Sequence, residues 1–273
     1  DLLLYGAENR QSLSDIGSIE SIQALQIEDV KQFYQRYYSP KLSDLVIAGD
    51  ISKERVLPKL EFLTQWQGPE YEIPGVEGAK PFDKPSIYLV DKPDAEQSIV
   101  RIFKPYLPFD ATGEQFKSKL MNFTLGGSFN SRINLNLRED KGYTYGAYSG
   151  FSGGKSLGSF SAGADLTTEH TADGIKELLK ELKQYRDNGI KPDELLFMRN
   201  AYTQSEALNY ETPYSKLGFM RQLIVFGLEK DFVDEQLHII NSISAEEIGE
   251  IARQALDTDS MQILVVGDAT KIR

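Results

Sequence analysis

The sequence predicts an α+β protein: a mixed or mainly antiparallel sheet covered by helices, preceded by the C-terminal part of a similar unit. Three observations predict it. Short apolar runs of strand length fall at 86–90, 97–104, 157–166 and 261–266, the third of them alternating as a half-buried strand does. Between residues 168 and 255 the apolar positions recur instead at helical spacing. Finally, residues 27–50 (IEDVKQFYQRYYSPKLSDLVIAGD) and 244–268 (SAEEIGEIARQALDTDSMQILVVGD) repeat one helix–strand design. Glu28 aligns with Glu246, Val30 with Ile248 and Gly49-Asp50 with Gly267-Asp268, always 218 residues apart and without a gap, the mark of a duplicated unit.

Taken in order, Ser18 to Leu25 reads as a short helix and Ile27 to Tyr38 as an amphipathic one. Ile27, Val30, Phe33, Tyr34, Tyr37 and Tyr38 share a side of the latter, and Pro40 ends it. Leu42 to Ala48 reads as a buried strand, and a helical stretch interrupted by Pro58 runs to Trp66. Residues 67–85 hold four prolines and three glycines without periodicity, which makes them a linker. The expected division is therefore 1–66, the C-terminal part of a truncated first unit; 67–85, linker; and 86–273, a complete second unit. The 218-residue offset puts the counterpart of Ser86 about 130 residues before Asp1, so the chain reads as a fragment or processed product. The stub at 1–66 should then pack on something or swap between chains.

In the second unit, strands at Ser86–Val90 and Gln97–Lys104 flank a DKPD turn, and Glu114 to Leu125 is a helix. Gly126 and Gly127 are expected to end it with the positive φ of a helix C-terminus. A short helix with Ile133 and Leu137 on one face carries Arg138, Asp140-Lys141-Gly142 turns the chain, and a strand starts near Tyr145. In the next strand Phe160, Ala162, Ala164 and Leu166 face one way. Thr168 is the expected N-cap of a helix striped by Ile175, Leu178, Leu179, Leu182 and Tyr185 and ended by Gly189. Pro192 opens a helix running toward Asn209, helices follow at Pro213–Phe226 and Phe232–Ile240, and Ser244 with Glu247 forms a capping box before the last helix.

Composition bounds the chemistry. The absence of cysteine excludes disulfides, thiolate metal sites and cysteine nucleophiles. A net charge of −11 argues against nucleic acid and anionic membranes, and no run of 18 apolar residues marks a membrane segment. Serine-triad chemistry lacks a G-x-S-x-G, and LGGSFNSR lacks the phosphate-loop pattern. The two histidines, His170 and His238, lie 68 residues apart. Glu235 and His238 supply half of a metal site at best, and a solvated helix face accounts for them better.

The long stretch LGGSFNSRINLNLREDKGYTYGAYSGF brings a cation, Arg138, and a phenol, Tyr145, together on a helix–turn–strand unit. Both donate hydrogen bonds of the kind that stabilise a carbonyl oxygen gaining negative charge. The stretch resembles the second-half signature of the pitrilysin/insulysin family of inverted-motif zinc metallopeptidases, which includes mitochondrial processing peptidase. The resemblance implies a metalloprotease-half fold and assigns Arg138 and Tyr145, seven residues apart, to a non-catalytic half that binds the substrate carbonyl. It implies that Gly126, Gly127, Ser128 and Asn130 belong to a peptide-holding wall, although as residues they read equally well as a helix terminator. It implies no cofactor in this chain, with zinc, held through H-x-x-E-H, in a partner half that is either the same polypeptide or a separate subunit. A periplasmic or membrane-associated setting follows from bacterial family members. The implied function is peptide binding and oxyanion stabilisation in a chamber shared with the zinc-bearing half. Two alternatives stay open: a scaffold subunit akin to respiratory-complex core proteins, and a catalytic half whose zinc motif lies upstream.

Overall fold

The computed structural model describes residues 1–206 and 210–272; the expected end of the Pro192 helix near Asn209 lies outside them. The N-terminal arm comprises α1 (Leu2–Tyr5), α2 (Ile19–Ala24), α3 (Ile27–Tyr37) and α4 (Lys53–Val56), the last continuing as a 3-10 helix over Leu57–Gln65 where Pro58 forbids a regular start. None of these helices buries a residue. The apolar side of α3 forms as its periodicity demands, yet Ile27, Val30, Phe33, Tyr34 and Tyr38 all face solvent. The expected buried strand at Leu42–Ala48 does not form: residues 43–48 make no ladder, and Leu45 and Ile47 are exposed. A strand exists only with a partner to take its N–H and C=O groups, and none of the described residues pairs with this one. Residues 66–85 form neither helix nor strand, although the Phe82 ring packs edge-on against Phe103.

The body is a five-stranded mixed sheet in the order β1-β5-β2-β4-β3, with strands β1 (Ser86–Asp91), β2 (Gln97–Tyr106), β3 (Thr144–Gly153), β4 (Gly158–Thr167) and β5 (Gln262–Gly267). Only β1 and β5 run parallel. The α+β expectation holds. Val100 stands opposite Val265 and Ala164, and Ile102 opposite Ile263 and Ala162, so one pleat face is apolar across three strands. That face is roofed by α5 (Glu114–Asn122), α6 (Arg132–Asn134) and α7 (Thr171–Asn188), with α11 (Ala245–Ala255) packed on α5 and α7. Leu120, Met121, Ile133, Leu137, Leu178, Leu182, Tyr185, Ile248 and Ala252 are fully buried there, each large side chain contributing about 1.5–3 kcal/mol. The other face is open: Tyr88, Ile99 and Tyr148 are exposed, and Arg101 lies over the Tyr148 ring and pairs with Asp165. Flanking helices α8 (Pro192–Glu206), α9 (Pro213–Phe226) and α10 (Phe232–Ser242) complete the unit. Arg199 ties α8 to α10 by donating to the carbonyls of Ile240 and Ile243.

Two local expectations change. Thr168 does not cap α7; it opens a 3-10 turn, its hydroxyl donates to the Ala95 carbonyl, and the helix starts at Thr171. The tertiary bond to the β1–β2 turn wins over the local cap. The Gly-Asp pair that ends both repeats acquires a reason. A Cβ on Gly267 would sit 2.5 Å from Ser98 Oγ, and the Asp268 carboxylate accepts from the N–H groups of Asp94 and Thr270 and from Lys271 Nζ. The pair thus fastens the end of β5 to the turn between β1 and β2. Asp50, its counterpart, is exposed.

Candidate functional site

Arg138 was expected on an α-helix. It sits instead in a π turn, Leu135–Asp140, that continues α6. Lys141 N–H reaches back to the Asn136 carbonyl, five residues earlier, and this wider turn takes in one residue more than an α turn, a device frequent at functional sites. Buried Ile133 and Leu137 anchor its inner side. Asn136 fastens it to α7, donating to Glu177 Oε2 at 2.9 Å and Glu181 Oε1 at 2.6 Å. Lys180 and Asn136 hold the Glu177 carboxyl below the usual range. The Arg138 side chain is about one third exposed, with its Nε 3.5 Å from Glu139 Oε1 and its guanidinium 4.5 Å from the centre of the Phe129 ring.

Tyr145 sits in a β-bulge. Thr144 pairs with Leu166 and Ala147 with Ala164, so Tyr145 and Gly146 together oppose Asp165. The Thr144 hydroxyl closes the bulge: it lies 2.7 Å from the Asp165 carbonyl and 2.9 Å from that of Gly146, and accepts from Gly146 N–H. The distortion turns Tyr145 outward to 91% exposure. Both side chains line one cleft of about 410 Å³, with Gln97, Glu139, Gly142, Tyr143, Thr144 and Thr167. Gly142 makes the intervening turn at φ 67°.

The glycine-rich segment is a different matter. Neither Gly126 nor Gly127 adopts a positive φ. Helix α5 widens into a π turn, Phe123–Gly127, and stops at Ser128. Gly126 is buried because β3 presses on it: a Cβ there would lie 2.2 Å from Ser149 Oγ and 2.5 Å from Ser149 N. Its neighbour Asn122 binds the same residue, donating to the Ser149 carbonyl and accepting from its hydroxyl. Gly127 and Asn130 are exposed, Ser128 is half-buried, and none of the four lines the cleft of Arg138 and Tyr145. Sequence reasoning missed Phe129, Asn134 and Thr144. An aromatic set between polar loop residues was the one available signal, for Phe129.

His170 stacks on Tyr143 at 4.3 Å, and His238 lies on α10. Among the described residues no group of three or more His, Asp or Glu is placed to hold a metal ion, so the side chains present do not fit a zinc site. No described helix is long and apolar enough to cross a membrane.

The family profile described as "Peptidase M16 inactive domain" matches residues 24–202, about two thirds of the chain and the whole of the Arg138–Tyr145 stretch. The chain belongs to this family. Among curated relatives, a "Non-peptidase homolog YmxG" from Helicobacter pylori is 28% identical over 261 residues, covering 94% of this chain and 59% of its own length. An "Uncharacterized zinc protease YmxG" from Bacillus subtilis is 26% identical over 276 residues, covering 97% of this chain and 64% of its own. The chain thus spans about three fifths of the relatives it matches. The crystal structure of a peptidase M16 inactive domain from Pseudomonas fluorescens superposes with a TM-score of 0.87 at 20% identity, over all of this chain and 65% of that one. That likeness carries the fold beyond both ends of the profile match, to the whole chain.

Proposed function

We propose that this M16 inactive domain is the non-catalytic half of a zinc-dependent endopeptidase, and that Arg138 and Tyr145 bind the substrate carbonyl and stabilise its oxyanion. The observation that carries the reading is the meeting of both side chains in one cleft, each delivered by a local departure from regular structure, a π turn and a bulge. With its guanidinium over the Phe129 ring and Nε facing Glu139 at 3.5 Å, Arg138 keeps its terminal Nη donors available. Among the described residues the Tyr145 hydroxyl makes no hydrogen bond and stands in solvent, ready for an acceptor. As negative charge builds on the carbonyl oxygen, both groups would donate to it, an interaction stronger in the transition state than in the ground state. Zinc, which supplies the activated water in such enzymes, would belong to the partner half. Peptide would lie as an added strand along a sheet edge of that half, with Gly127, Ser128 and Asn130 forming part of the wall opposite and Gly126 keeping β3 close behind them.

The domain division follows the same reading: 1–66 as the end of a preceding unit, 67–85 as linker, 86–273 as the complete second unit. Support comes from comparing the repeats. Ile248 and Ala252 on α11 are fully buried against the body, whereas their counterparts Val30 and Tyr34 on α3 are exposed. In the complete protein, α3 would pack on the helices of its own unit.

The test is mutation in the complete assembly. Arg138→Ala and Tyr145→Phe should each lower peptide turnover by about 10²–10³-fold while zinc content per assembly, measured by elemental analysis, stays constant. Unchanged turnover in both variants overturns the assignment. A scaffolding role without proteolysis is a second reading, favoured by the name of the Helicobacter pylori relative. It predicts no turnover in the assembled wild type and no H-x-x-E-H in the partner half.

A further inference from the structure

We propose that Asn134 is a positioning residue that joins Arg138 and Tyr145 into one unit, with Phe129 as the platform on which the guanidinium rests. The inference builds on the reading of Arg138 and Tyr145 above. Asn134 is 4% exposed, and both ends of its amide are engaged. Nδ2 donates to the Phe129 carbonyl at 2.7 Å, and Oδ1 accepts from Ala147 N–H at 3.0 Å. The first bond fixes the loop that presents Phe129, a ring 66% exposed with the Arg138 guanidinium 4.5 Å from its centre. The second fixes the first paired residue after the bulge that turns Tyr145 outward. Asn134 also immediately precedes the π turn that carries Arg138. One buried side chain therefore touches the supports of both donors.

The chemistry explains the residue type. This position needs one donor and one acceptor on a short, planar group, and only an asparagine amide provides both at this length. An aspartate would still accept from Ala147 but would set a carboxylate against the Phe129 carbonyl. An alanine would leave the buried Ala147 N–H unpaired and release the Phe129 carbonyl. The function of such a clamp is pre-organisation: arginine carries large rotamer freedom, and a donor contributes to an oxyanion only if it is already in place. Holding the phenylalanine loop against the bulge sets the distance between the two donors before any substrate arrives.

The experiment combines spectroscopy on this chain with kinetics in the complete assembly. Stacking on Phe129 should shift the Arg138 Nε–H resonance, and Ala147 N–H should be protected from exchange. In Asn134→Asp, Ala147 should stay protected while the Arg138 resonance moves to its unstacked value, and kcat should fall roughly 10-fold or more with KM little changed. Phe129→Leu, at an exposed position that folding tolerates, should move the same resonance and the same kcat without touching Ala147. In an Arg138→Ala background neither substitution should cost further turnover, because the pair acts as one unit. An Arg138 resonance unmoved by Phe129→Leu and Asn134→Asp, or losses that simply add to that of Arg138→Ala, would overturn the proposal. If Arg138→Ala and Tyr145→Phe leave turnover intact, the functional reading falls; the resonance and exchange measurements still decide the clamp.

Discussion

Thr144 shows how much a single hydroxyl decides. Its three short contacts across the bulge set which way Tyr145 points, yet in the sequence it reads as an ordinary strand threonine. The seven-residue spacing of Arg138 and Tyr145 was legible, because their residue types and the turn between them were visible in the chain. The π turn and the bulge were not. Each is a choice of hydrogen-bond partner one residue away from the regular one, and no residue type marks that choice. Gly126 teaches the same lesson in reverse: its glycine looked like a helix stop, and proves to be a packing requirement set by Ser149, 23 residues later. Gly126→Ala should therefore destabilise the chain by about 1–3 kcal/mol through overpacking, with the urea midpoint lowered. An unchanged midpoint would mean that β3 can retreat at no cost.

At the scale of elements, the two copies of the helix–strand repeat differ in what surrounds them, not in design. The second copy is complete: α11 packs on α5 and α7, β5 is paired on both edges, and Asp268 is satisfied. The Thr270 hydroxyl and the Lys271 ammonium hold the Asp268 carboxyl well below its ordinary range. A depressed carboxyl stabilises the fold fully above the ordinary carboxylate pKa, and that contribution is lost as pH falls through the folded value. Below about pH 4 the chain should lose stability more steeply than Asp268→Asn does, as read from urea titrations at a series of pH values; parallel pH slopes would refute the role. The short apolar runs at 97–104, 157–166 and 261–266 revealed strands that lie in the covered part of the sheet, and the run at 86–90 a strand that pairs with β5 while staying largely exposed. The segment at 42–48 ends in a similar apolar run but has no neighbouring strand, and an apolar run cannot announce a missing partner.

For the whole molecule, the open question of energy lies in the N-terminal arm. Its helices display Val30, Phe33 and Tyr34 to solvent, a contiguous apolar strip of the kind that marks a contact surface. If the complete protein covers that strip, Phe33→Asp should cost it about 3–5 kcal/mol, as for a buried aromatic. In this chain alone the same substitution should shift stability by no more than about 0.5 kcal/mol. Equal effects in the two settings would show that α3 stays uncovered. The sheet and its helical roof were readable from local pattern and the repeat; the openness of the opposite face was not, since it depends on what packs there.

The bulge at Tyr145 has a consequence for how this stretch tolerates change. Excising Gly146 would leave Thr144 facing Leu166 and Ala147 facing Ala164, so the ladder would close without a fault. Tyr145 would then fall opposite Asp165 and swing to the side of the sheet that bears Tyr148, away from Arg138. Every amino acid with a role in the cleft would survive such a deletion, and the cleft would be gone. Anyone transplanting this loop between homologues has to count residues before comparing them.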